Sequence, residues 1–319
     1  MKTFNPKITV YIPNHNYNLY FKKSIESVLC QTYKNFELFL ILDGSDKLAR
    51  KIADYYQKKD QRIKIFINKK KMGLRYSANL AINNSKGSYI TRLDADDFFS
   101  TKALKIFVNF LKSNKNIDLV YSDFYYVDKN GNIIDTYSNE KIINKESLLN
   151  IPAHGACSLV KKNTLKKIGG YKNIFDAQDG YELWLNLIKK KKSIGNINTP
   201  LFYYRQHDVS MSTNEDRILN ARRKIKRYFV EKNKLLKNKK ILFIVGARNK
   251  NNILKLKINK KYLIDYCLKE LRFFKKINYK ILVSTDDSNL KKYIETKYLY
   301  KTYMRPEDLS LDYVNIDNI

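Results

Sequence analysis

The stretch YITRLDADDFFS, residues 89–100, places three aspartates directly after an apolar run and directly before two phenylalanines. Asp94, Asp96 and Asp97 would repel one another where the backbone becomes buried, so a positive group is expected among them. Two carboxylates two positions apart on a strand-end loop can point into one cleft, and such hard oxygen ligands suit Mg²⁺ or Mn²⁺. The alternative is an aspartate-rich turn that caps a helix beginning near Thr101.

Strand-like and helix-like segments alternate on both sides of this stretch. The predicted strands are residues 7–13, 36–44, 62–68 and 88–93, and the predicted helices are residues 21–31, 47–59 and 76–85. Lys86 and Gly87 are expected to end the third helix. This alternation predicts a parallel α/β sheet, in which ligands bind at the carboxyl ends of the strands. The acidic loops that begin at Asp43 and Asp94 both fall at such ends.

The composition is that of a globular chain. It has 319 residues, enough for two domains, and 44% of them are hydrophobic. We see no run of about 18 apolar residues and no signal peptide at the N-terminus. Cys30, Cys157 and Cys267 lie far apart and show no metal-ligand spacing or disulfide framework. A cytoplasmic location is expected, with peripheral contact at the inner face of a membrane.

The net charge of +31 invites a nucleic-acid interpretation. Lysine greatly outnumbers arginine, however, and the lysines are dispersed along the chain. Specific nucleic-acid readers favour clustered arginine and recognisable modules, and neither is found. Anionic lipid headgroups or nucleotide phosphates are therefore the expected partners, and no specific nucleic acid is expected.

Several motifs in a fixed order resemble a known enzyme family. They are IPNHNYNLYFKKSIESVLCQTYKNFELFLILDGS (12–45), GLRYSANLAINNSKGSYITRLDADD (73–97), IGGYKNIFDAQDGYELWLNLIKK (168–190) and YYRQHDVSMS (203–212). Together they resemble the family 2 glycosyltransferases, which have the GT-A fold. The resemblance covers roughly residues 5–212. It implies an inverting transfer of a sugar from a nucleotide-sugar donor, a UDP-sugar by preference, to a glycan or glycolipid acceptor.

The resemblance assigns roles to individual residues. Asp43 matches the aspartate that reads the edge of the base, although Leu42 replaces the first aspartate of the usual pair. The implied nucleotide-binding set is Pro13, Asn14, Asn16, Asp43, Arg75, Asn79, Asp94 and Ala95. The implied ligands of Mn²⁺ or Mg²⁺ are Asp94, Asp96 and His207. Asp43 as a simple turn residue and His207 as a structural histidine are the alternatives.

The same resemblance places the reaction near residue 179. Asp179 matches the catalytic base, and Gln178 precedes it where the family usually has a second carboxylate. A carboxylate within hydrogen-bond reach can remove the proton of the attacking hydroxyl. Asp179 can also cap the helix that follows, and the two roles are compatible. Tyr181 and Trp184 are expected to pack the acceptor side, and His154 is a weaker candidate for ligand contact.

The rest of the chain changes in character. Residues 214–240 carry eleven Lys or Arg against three acids, and we interpret residues 213–239 as a basic helical linker, with membrane or partner docking as the alternative. Residues 240–319 resemble the start of a CMP-sugar synthetase, a cytidylyltransferase. The matching residues are Ser284, Thr285, Asp286, Asp287, Arg305 and Pro306. The loop Gly246–Lys250 lacks the two glycines that approach a triphosphate, so no cytidylyltransferase activity is predicted.

The predicted organisation is thus a GT-A transferase domain (1–212), a basic linker (213–239) and a partial α/β domain (240–319). The leading hypothesis is an inverting, metal-dependent glycosyltransferase. The competing hypotheses are nucleotidyl transfer by the C-terminal half, and a scaffold that docks on a membrane through its basic helix.

Overall fold

A computed structural model describes residues 4–16, 18–138, 158–172, 179–207, 215–232, 241–247, 257–258, 261–271 and 279–304. The chain divides into two compact units, Met1–Arg227 and Tyr228–Ile319. The division falls inside the segment that the sequence assigns to a linker.

The first unit alternates strands and helices in its N-terminal half, as the sequence predicts. Its described strands are β1 (Ile8–Asn14), β2 (Phe36–Asp43), β3 (Ile63–Asn68), β4 (Tyr89–Arg92), β5 (Phe98–Phe99), β6 (Leu119–Val127), β7 (Ile133–Tyr137), β8 (Ser158–Lys161) and β9 (Ile194–Arg205). Its described helices are α1 (Asn18–Leu29), α2 (Lys47–Lys59), α3 (Leu74–Asn84), α4 (Ala103–Ser113), α5 (Lys162–Ile168) and α6 (Asp179–Lys189). A further helix, α7 (Glu215–Lys232), contains the division between the two units.

These strands form one nine-stranded sheet in the order β3-β2-β1-β4-β8-β6-β9-β5, with β7 on β6. The run β3-β2-β1-β4 is parallel throughout, and β9 is parallel to β6. β8 is antiparallel to both β4 and β6. The predicted α/β class with a mostly parallel sheet is confirmed. Because β1 to β4 are parallel neighbours, their carboxyl ends lie along one edge.

The core of this unit lies where helices cover both faces of the parallel strands. Every residue of β1 and β2 is buried, as expected of strands with helices on both sides. Phe21, Ile25 and Val28 of α1 are fully buried and recur at helical spacing. Each such side chain contributes about 1.5–3 kcal/mol relative to full exposure. The sheet edge that carries the polar loops therefore rests on a rigid base.

Two local predictions are wrong. Lys86 and Gly87 do not end α3, because the helix stops at Asn84 and its cap is Ser85. Gly87 serves a close approach instead, since a Cβ there would lie 2.5 Å from Thr9 Oγ1. The capping alternative for the aspartate loop is not seen either. α4 begins at Ala103, and its N-cap residue makes no side-chain capping hydrogen bond.

The basic helix α7 is not solvated on all sides. Ala221 is 5% exposed and Ile225 is fully buried. The helix therefore packs through an apolar stripe although its sequence is strongly charged. None of the described helices has the length and apolar character that a membrane crossing requires.

The second unit has its own small parallel sheet. Its described elements are β10 (Ile241–Ala247), β11 (Lys257–Ile258), β12 (Lys261–Tyr262), α8 (Leu263–Leu271), β13 (Tyr279–Thr285), α9 (Ser288–Tyr298) and β14 (Lys301–Met304). The order β10-β13-β14 is parallel, and β11 pairs with β12 as an antiparallel ribbon. Ile264, Leu268, Val283 and Ile294 form a buried cluster between the sheet and its helices.

Candidate active site

Polar residues collect at the carboxyl edge of β1 to β4. β1 ends at Asn14, β2 at Asp43 and β3 at Asn68, while the loop of Asp94 to Asp97 follows β4. The parallel order of these neighbouring strands brings the four positions to one edge. This is the place where open α/β sheets bind ligands.

Asp43 organises the loop that follows β3. Its Oδ1 accepts hydrogen bonds from Asn68 Nδ2 and from the Met72 N–H, both at 2.8 Å. Its Oδ2 accepts the Gly73 N–H at 2.7 Å. The side chain is buried, and the Asp43 carbonyl oxygen lies 2.8 Å from His15 Nδ1. The structure thus gives Asp43 a role in shaping the edge, and base reading stays a prediction.

A second set of contacts joins the ends of β1 and β2. Ser45 Oγ donates to the Asn14 carbonyl oxygen at 2.6 Å, and the Asp46 N–H donates to Asn16 Oδ1 at 3.1 Å. Asn16 has a φ of 64°, a left-handed conformation that asparagine tolerates better than most residues. Asn14 is fully buried, and Pro13 pairs with Ile41 across the sheet. These predicted nucleotide-binding residues therefore lie together at the carboxyl ends of β1 and β2, where hydrogen bonds hold the loops in place.

The carboxylates after β4 are paired with basic side chains. Arg92 Nε lies 2.9 Å from Asp94 Oδ1, and the Asp94 side chain is 24% exposed. His207 Nε2 lies 3.0 Å from Asp96 Oδ2, and the Asp96 side chain is 17% exposed. Ala95 between them is buried. Both carboxylates therefore keep part of their surface open to a ligand.

Asp97 is different, because it is buried and holds the loop in place. Its Oδ1 accepts the Arg205 N–H at 2.8 Å, and its carbonyl oxygen accepts a short hydrogen bond from Ser24 Oγ. Burial raises the pKa of Asp97, the charges of Asp96 and Asp94 raise it further, and Arg205 opposes both. The third aspartate of the cluster thus holds the loop that carries Asp94 and Asp96.

Arg205 supplies much of the positive charge expected among the aspartates. Its Nε donates to the Asp96 carbonyl oxygen at 2.8 Å, and Nη1 donates to the Lys129 carbonyl oxygen at 2.8 Å. Its guanidinium lies 4.3 Å from the centre of the Tyr20 ring. One arginine therefore ties the aspartate loop to the turn after β6 and to α1.

Sequence reasoning did not select Arg92 or Arg205. Arg92 stands two positions before Asp94, and Arg205 stands two positions before His207. Two positions along a strand return a side chain to the same face. That spacing is the signal by which both could have been found. The expected positive group thus includes the protein's own arginines.

Two predicted nucleotide-binding residues lie in α3. Arg75 is 9% exposed. Asn79 binds the backbone of Tyr171 on both sides, with Nδ2 donating to its carbonyl oxygen at 2.8 Å and Oδ1 accepting its N–H at 2.9 Å. The structure therefore gives Asn79 a bracing role between α3 and the segment after α5.

The predicted base and acceptor side belong to α6. Asp179 is the first residue of this helix, but its side chain lies outside the described residues, as do Gln178 and His154. Tyr181 is 3% exposed and Trp184 is 2% exposed. Both side chains are therefore buried, and their place on an acceptor side stays a prediction.

Both aromatic side chains are held in the protein interior, Tyr181 by burial and Trp184 by a contact with another aromatic ring. Burial raises the pKa of Tyr181 to about 12, and the charge of Arg222 in α7 works against that rise. Trp184 meets Tyr121 of β6 edge to face at 4.8 Å between ring centres. α6 is thus held against β6, which fixes the backbone position of residue 179.

The three predicted metal ligands do not form a ready-made cage. In the described part of the chain no group of three or more His, Cys, Asp or Glu side chains is arranged to hold a metal ion. Asp96 and His207 are adjacent, while Asp94 is paired with Arg92. A metal held here would need ligands beyond these side chains.

Comparison with known proteins identifies the family. The model of "Glycosyl transferase family 2" matches residues 9–169, half of the chain. The chain belongs to glycosyltransferase family 2. It is therefore a transferase enzyme, and the predicted family resemblance of the N-terminal unit is confirmed.

Relatives of this glycosyltransferase agree with that assignment. "Uncharacterized glycosyltransferase MJ1057" of Methanocaldococcus jannaschii is 34% identical over 207 residues, which are 63% of this chain and 71% of the relative. The Escherichia coli protein "UDP-Glc:alpha-D-GlcNAc-diphosphoundecaprenol beta-1,3-glucosyltransferase WfaP" is 31% identical over 212 residues, which are 65% of this chain and 80% of the relative.

Solved structures show the same fold at low identity. S. aureus TarS 1-349 in complex with UDP-GlcNAc matches with a TM-score of 0.60 and 15% identity, over 72% of this chain and 67% of that one. The mannosyltransferase PcManGT from Pyrobaculum calidifontis, in complex with GDP-Man and Mn²⁺, matches with a TM-score of 0.58 and 13% identity, over 72% and 65%. The transferase unit therefore has a GT-A-like fold. None of the comparisons supports a cytidylyltransferase-like domain in residues 240–319.

Proposed function

We propose that this glycosyltransferase is inverting and metal-dependent, and that it moves a sugar from a UDP-sugar to a hydroxyl of a glycan or glycolipid. One observation carries the proposal. Asp96, whose side chain is partly exposed, lies 3.0 Å from His207, and Arg205 and Asp97 hold the Asp96 loop at the carboxyl edge of the sheet. Family 2 membership and the GT-A-like fold support a nucleotide sugar as donor.

The similar proteins favour a UDP-sugar and a glycan acceptor. TarS binds UDP-GlcNAc, and WfaP is named for UDP-Glc and for an acceptor sugar on diphosphoundecaprenol. PcManGT binds GDP-Man, so the fold alone leaves the base open. The base is therefore the first point for an experiment to decide.

The residues present fit a divalent cation that a donor diphosphate also binds. Mg²⁺ is usually held by one or two carboxylates together with phosphate oxygens, and not by an all-protein cage. Asp96 offers a carboxylate and His207 an imidazole nitrogen, and Asp94, on the loop of Asp96, is paired with Arg92 at the end of β4. When bound, such a cation supplies positive charge that neutralises the leaving diphosphate.

The chain's own residues then have separate tasks. Asp179, at the first position of α6, is proposed to take the proton of the acceptor hydroxyl. Arg205 and Asp97 keep the Asp94–Asp96 loop in one conformation, which reduces the reorganisation needed when the donor binds. Asp43 fixes the loop beside the proposed base site.

A thermal-shift series with separate transfer assays tests the proposal. UDP, GDP, CDP and CMP are each added with and without Mn²⁺ to wild type, Asp96→Asn, Asp179→Asn and Asp135→Asn. A ligand at about 100 times its dissociation constant adds roughly 2.7 kcal/mol to stability, so donor binding is measurable. Asp135 is an exposed β7 residue and serves as the matched control.

We expect UDP to stabilise the wild type only with Mn²⁺, and we expect Asp96→Asn to lose that shift. Asp179→Asn should keep the shift and lose sugar transfer, because a base acts on the acceptor and not on donor binding. A wild type that no nucleotide stabilises, or a UDP shift that is equal without metal, contradicts the proposal.

The C-terminal unit is not a second candidate for the activity. No comparison supports a cytidylyltransferase there, and residues 248–250 and 305–306 of the predicted motifs lie outside the described residues. Asp287, one of the matching residues, caps α9 through two backbone N–H groups. The transferase unit therefore carries the proposed function.

A further inference from the structure

Apolar side chains are exposed at the same sheet edge as the aspartate loop. Leu19 is 80% exposed, Ile67 56%, Leu48 54% and Met72 41%. Scattered exposed apolar residues are normal and need no explanation, whereas a concentration at one edge points to an interaction surface. Three consecutive exposed lysines, residues 69–71, lie between Ile67 and Met72. We call these seven residues the basic rim.

The topology brings the members of the rim together. Leu19 lies in the first turn of α1, after β1 ends, and Leu48 lies in the first turn of α2, after β2 ends. Ile67 is the last residue but one of β3, and the lysines follow that strand. Parallel neighbouring strands are about 4.8 Å apart, so three adjacent carboxyl ends span about 10 Å.

Hydrogen bonds hold these segments to one another. Asn18, next to Leu19, donates through Nδ2 to Asp46 Oδ2 at 2.7 Å, two residues before Leu48. The Gly44 N–H donates to the Asn68 carbonyl oxygen at 3.1 Å, next to Ile67. The Asp43 carboxylate binds the Met72 and Gly73 N–H groups as described above. These hydrogen bonds therefore hold the segments of the rim together as one surface.

The chain packs the lysine loop closely against the end of β2. Gly44 has a φ of 65°, and a Cβ there would lie 2.6 Å from the Lys71 backbone nitrogen. Glycine is therefore needed at this position both for its conformation and for its lack of a side chain. The close approach presses the lysine loop onto the edge and leaves its side chains facing solvent.

The charge of the rim selects its partner. Residues 67–76 contain no acid, and their exposed charges are the three lysines, since Arg75 is buried. Within residues 43–48 Asp43 is buried, and the exposed Asp46 is offset by the exposed Lys47. Apolar side chains beside lysines are the composition by which proteins bind the interface of an anionic bilayer, where each lysine contributes about 1 kcal/mol, or about fivefold in affinity.

We infer that the basic rim docks this glycosyltransferase onto an anionic membrane surface. The apolar side chains enter the headgroup region and the lysines contact the anionic headgroups. The inference deepens the proposed function and rests on it in one respect: a lipid-linked acceptor would then reach the enzyme at the edge that carries Asp94 and Asp96. It assigns docking to the rim and not to the basic helix α7.

Vesicle binding by the full chain tests the inference. Vesicles of phosphatidylcholine with phosphatidylglycerol are compared with vesicles of phosphatidylcholine alone. One variant replaces the three rim lysines, Lys69→Gln, Lys70→Gln and Lys71→Gln. A second replaces the helix residues by a good helix former, Leu19→Gln and Leu48→Gln.

Matched controls come from elsewhere in the transferase unit. Lys189, Lys190 and Lys191 form an exposed lysine run at the end of α6, and Ile133 and Ile134 are 55% and 58% exposed on β7. The control variants are Lys→Gln at the three lysines and Ile→Thr at the two isoleucines. All four variants are checked for cooperative unfolding.

We expect the wild type to prefer anionic vesicles, each rim variant to lose at least tenfold in affinity, and the controls to stay within twofold. Equal binding by rim variants and wild type, or equal loss in the control lysine run, overturns the inference. Loss of binding only on charge reversal of Arg222 and Arg223 assigns docking to α7 and overturns it as well.

The UDP thermal shift separates this inference from the proposed function. Rim variants that lose vesicle binding and keep the UDP shift support the docking surface. A lysine variant that loses the UDP shift and keeps vesicle binding shows that the lysines serve the donor, which overturns the inference. A wild type that binds anionic vesicles through the rim but no nucleotide supports docking while the proposed function fails.

Discussion

Aspartates end parallel strands in both units of the chain, and the two units use them differently. In the N-terminal unit Asp94 and Asp96 follow β4, are partly exposed and are paired with Arg92 and His207. In the C-terminal unit Asp287 follows β13, is 4% exposed and accepts two backbone N–H groups at 2.9 Å. The same sequence feature thus gives a candidate ligand site in one unit and a helix cap in the other.

The element that follows the strand explains the difference. α9 begins at Ser288, so its first N–H groups lie within reach of Asp287. The aspartates after β4 are followed by β5, and α4 begins only at Ala103. No helix N-terminus is close enough in sequence to engage Asp96, whose partner is a histidine side chain. A side-chain partner can move when a ligand arrives, whereas a helix cap is part of the fold.

The largest effect on the transfer rate is expected from replacing Asp96. Asp96→Asn removes a charge from the proposed diphosphate site, and we expect the transfer rate to fall by about 10²–10³-fold, as for other preorganised electrostatic groups. Asp287→Asn should leave the rate unchanged. Steady-state transfer from sugar donors that carry the nucleotide identified by the thermal shifts measures both. An equal fall in the two variants would mean that the two strand ends do not differ in function.

Replacing Asp43 tests how much its hydrogen bonds stabilise the same sheet edge. Asp43→Ala leaves the Met72 and Gly73 N–H groups without their acceptor, and we expect a loss of about 2–4 kcal/mol in the free energy of unfolding. Denaturant unfolding followed by tryptophan fluorescence measures it. Trp184 is the single tryptophan of the chain and is buried in the N-terminal unit. A loss below about 1 kcal/mol would contradict the proposed bracing role.

Local sequence patterns predicted the positions at this edge, but not their partners. α2 was expected at residues 47–59 and is found at Lys47–Lys59, because its apolar spacing is regular and Asp46 is a good N-cap. The strand ends at Asp43 and before Asp94 follow from apolar runs. The contact between Asp97 and the Arg205 backbone spans 108 residues, and no local pattern encodes it.

The errors have a physical cause of the same kind. Gly87 resembles a helix stop in sequence, but tertiary contact decides its role, since its N–H donates at 3.1 Å both to Glu37 Oε1 and to Thr9 Oγ1. Charged residues dominate the composition of α7, so its sequence alone indicates only a basic linker. Its buried stripe is only a few residues wide, with Ala221 and Ile225 at i and i+4. Whether such residues are buried depends on the parts of the fold that pack against them, and not on their own local sequence.

Asp265 is a second aspartate of the C-terminal unit whose role is structural. It accepts hydrogen bonds from the hydroxyls of Tyr293 and Tyr298 and from Lys297 Nζ. Burial raises its pKa, but the hydrogen bonds from Tyr298, Tyr293 and Lys297 outweigh burial, so the pKa is lowered overall. We expect Asp265→Asn to lower the stability of this unit by about 1.5–3 kcal/mol at neutral pH.

The sign of the pH dependence follows from that lowered pKa. The ionised form of Asp265 stabilises the fold above the unfolded value of about 3.9, and this contribution is lost as the pH falls from there through the folded pKa. Hydrogen exchange of α8 and α9, corrected for intrinsic rates, should show the difference between wild type and Asp265→Asn shrinking as the pH falls below the unfolded pKa of about 3.9. A difference that grows on acidification would refute this assignment.

The smallest effect is expected at Asp287, and it isolates what capping alone contributes. Asp287→Ala removes the acceptor for the Asn289 and Leu290 N–H groups, which costs about 1 kcal/mol, whereas Asp287→Asn keeps an acceptor and should cost less. Hydrogen exchange in α9 measures both, and sugar transfer should not change in either. If Asp287→Asn were as damaging as the alanine variant, the carboxylate would be serving something other than the helix, and the two strand ends would be alike after all.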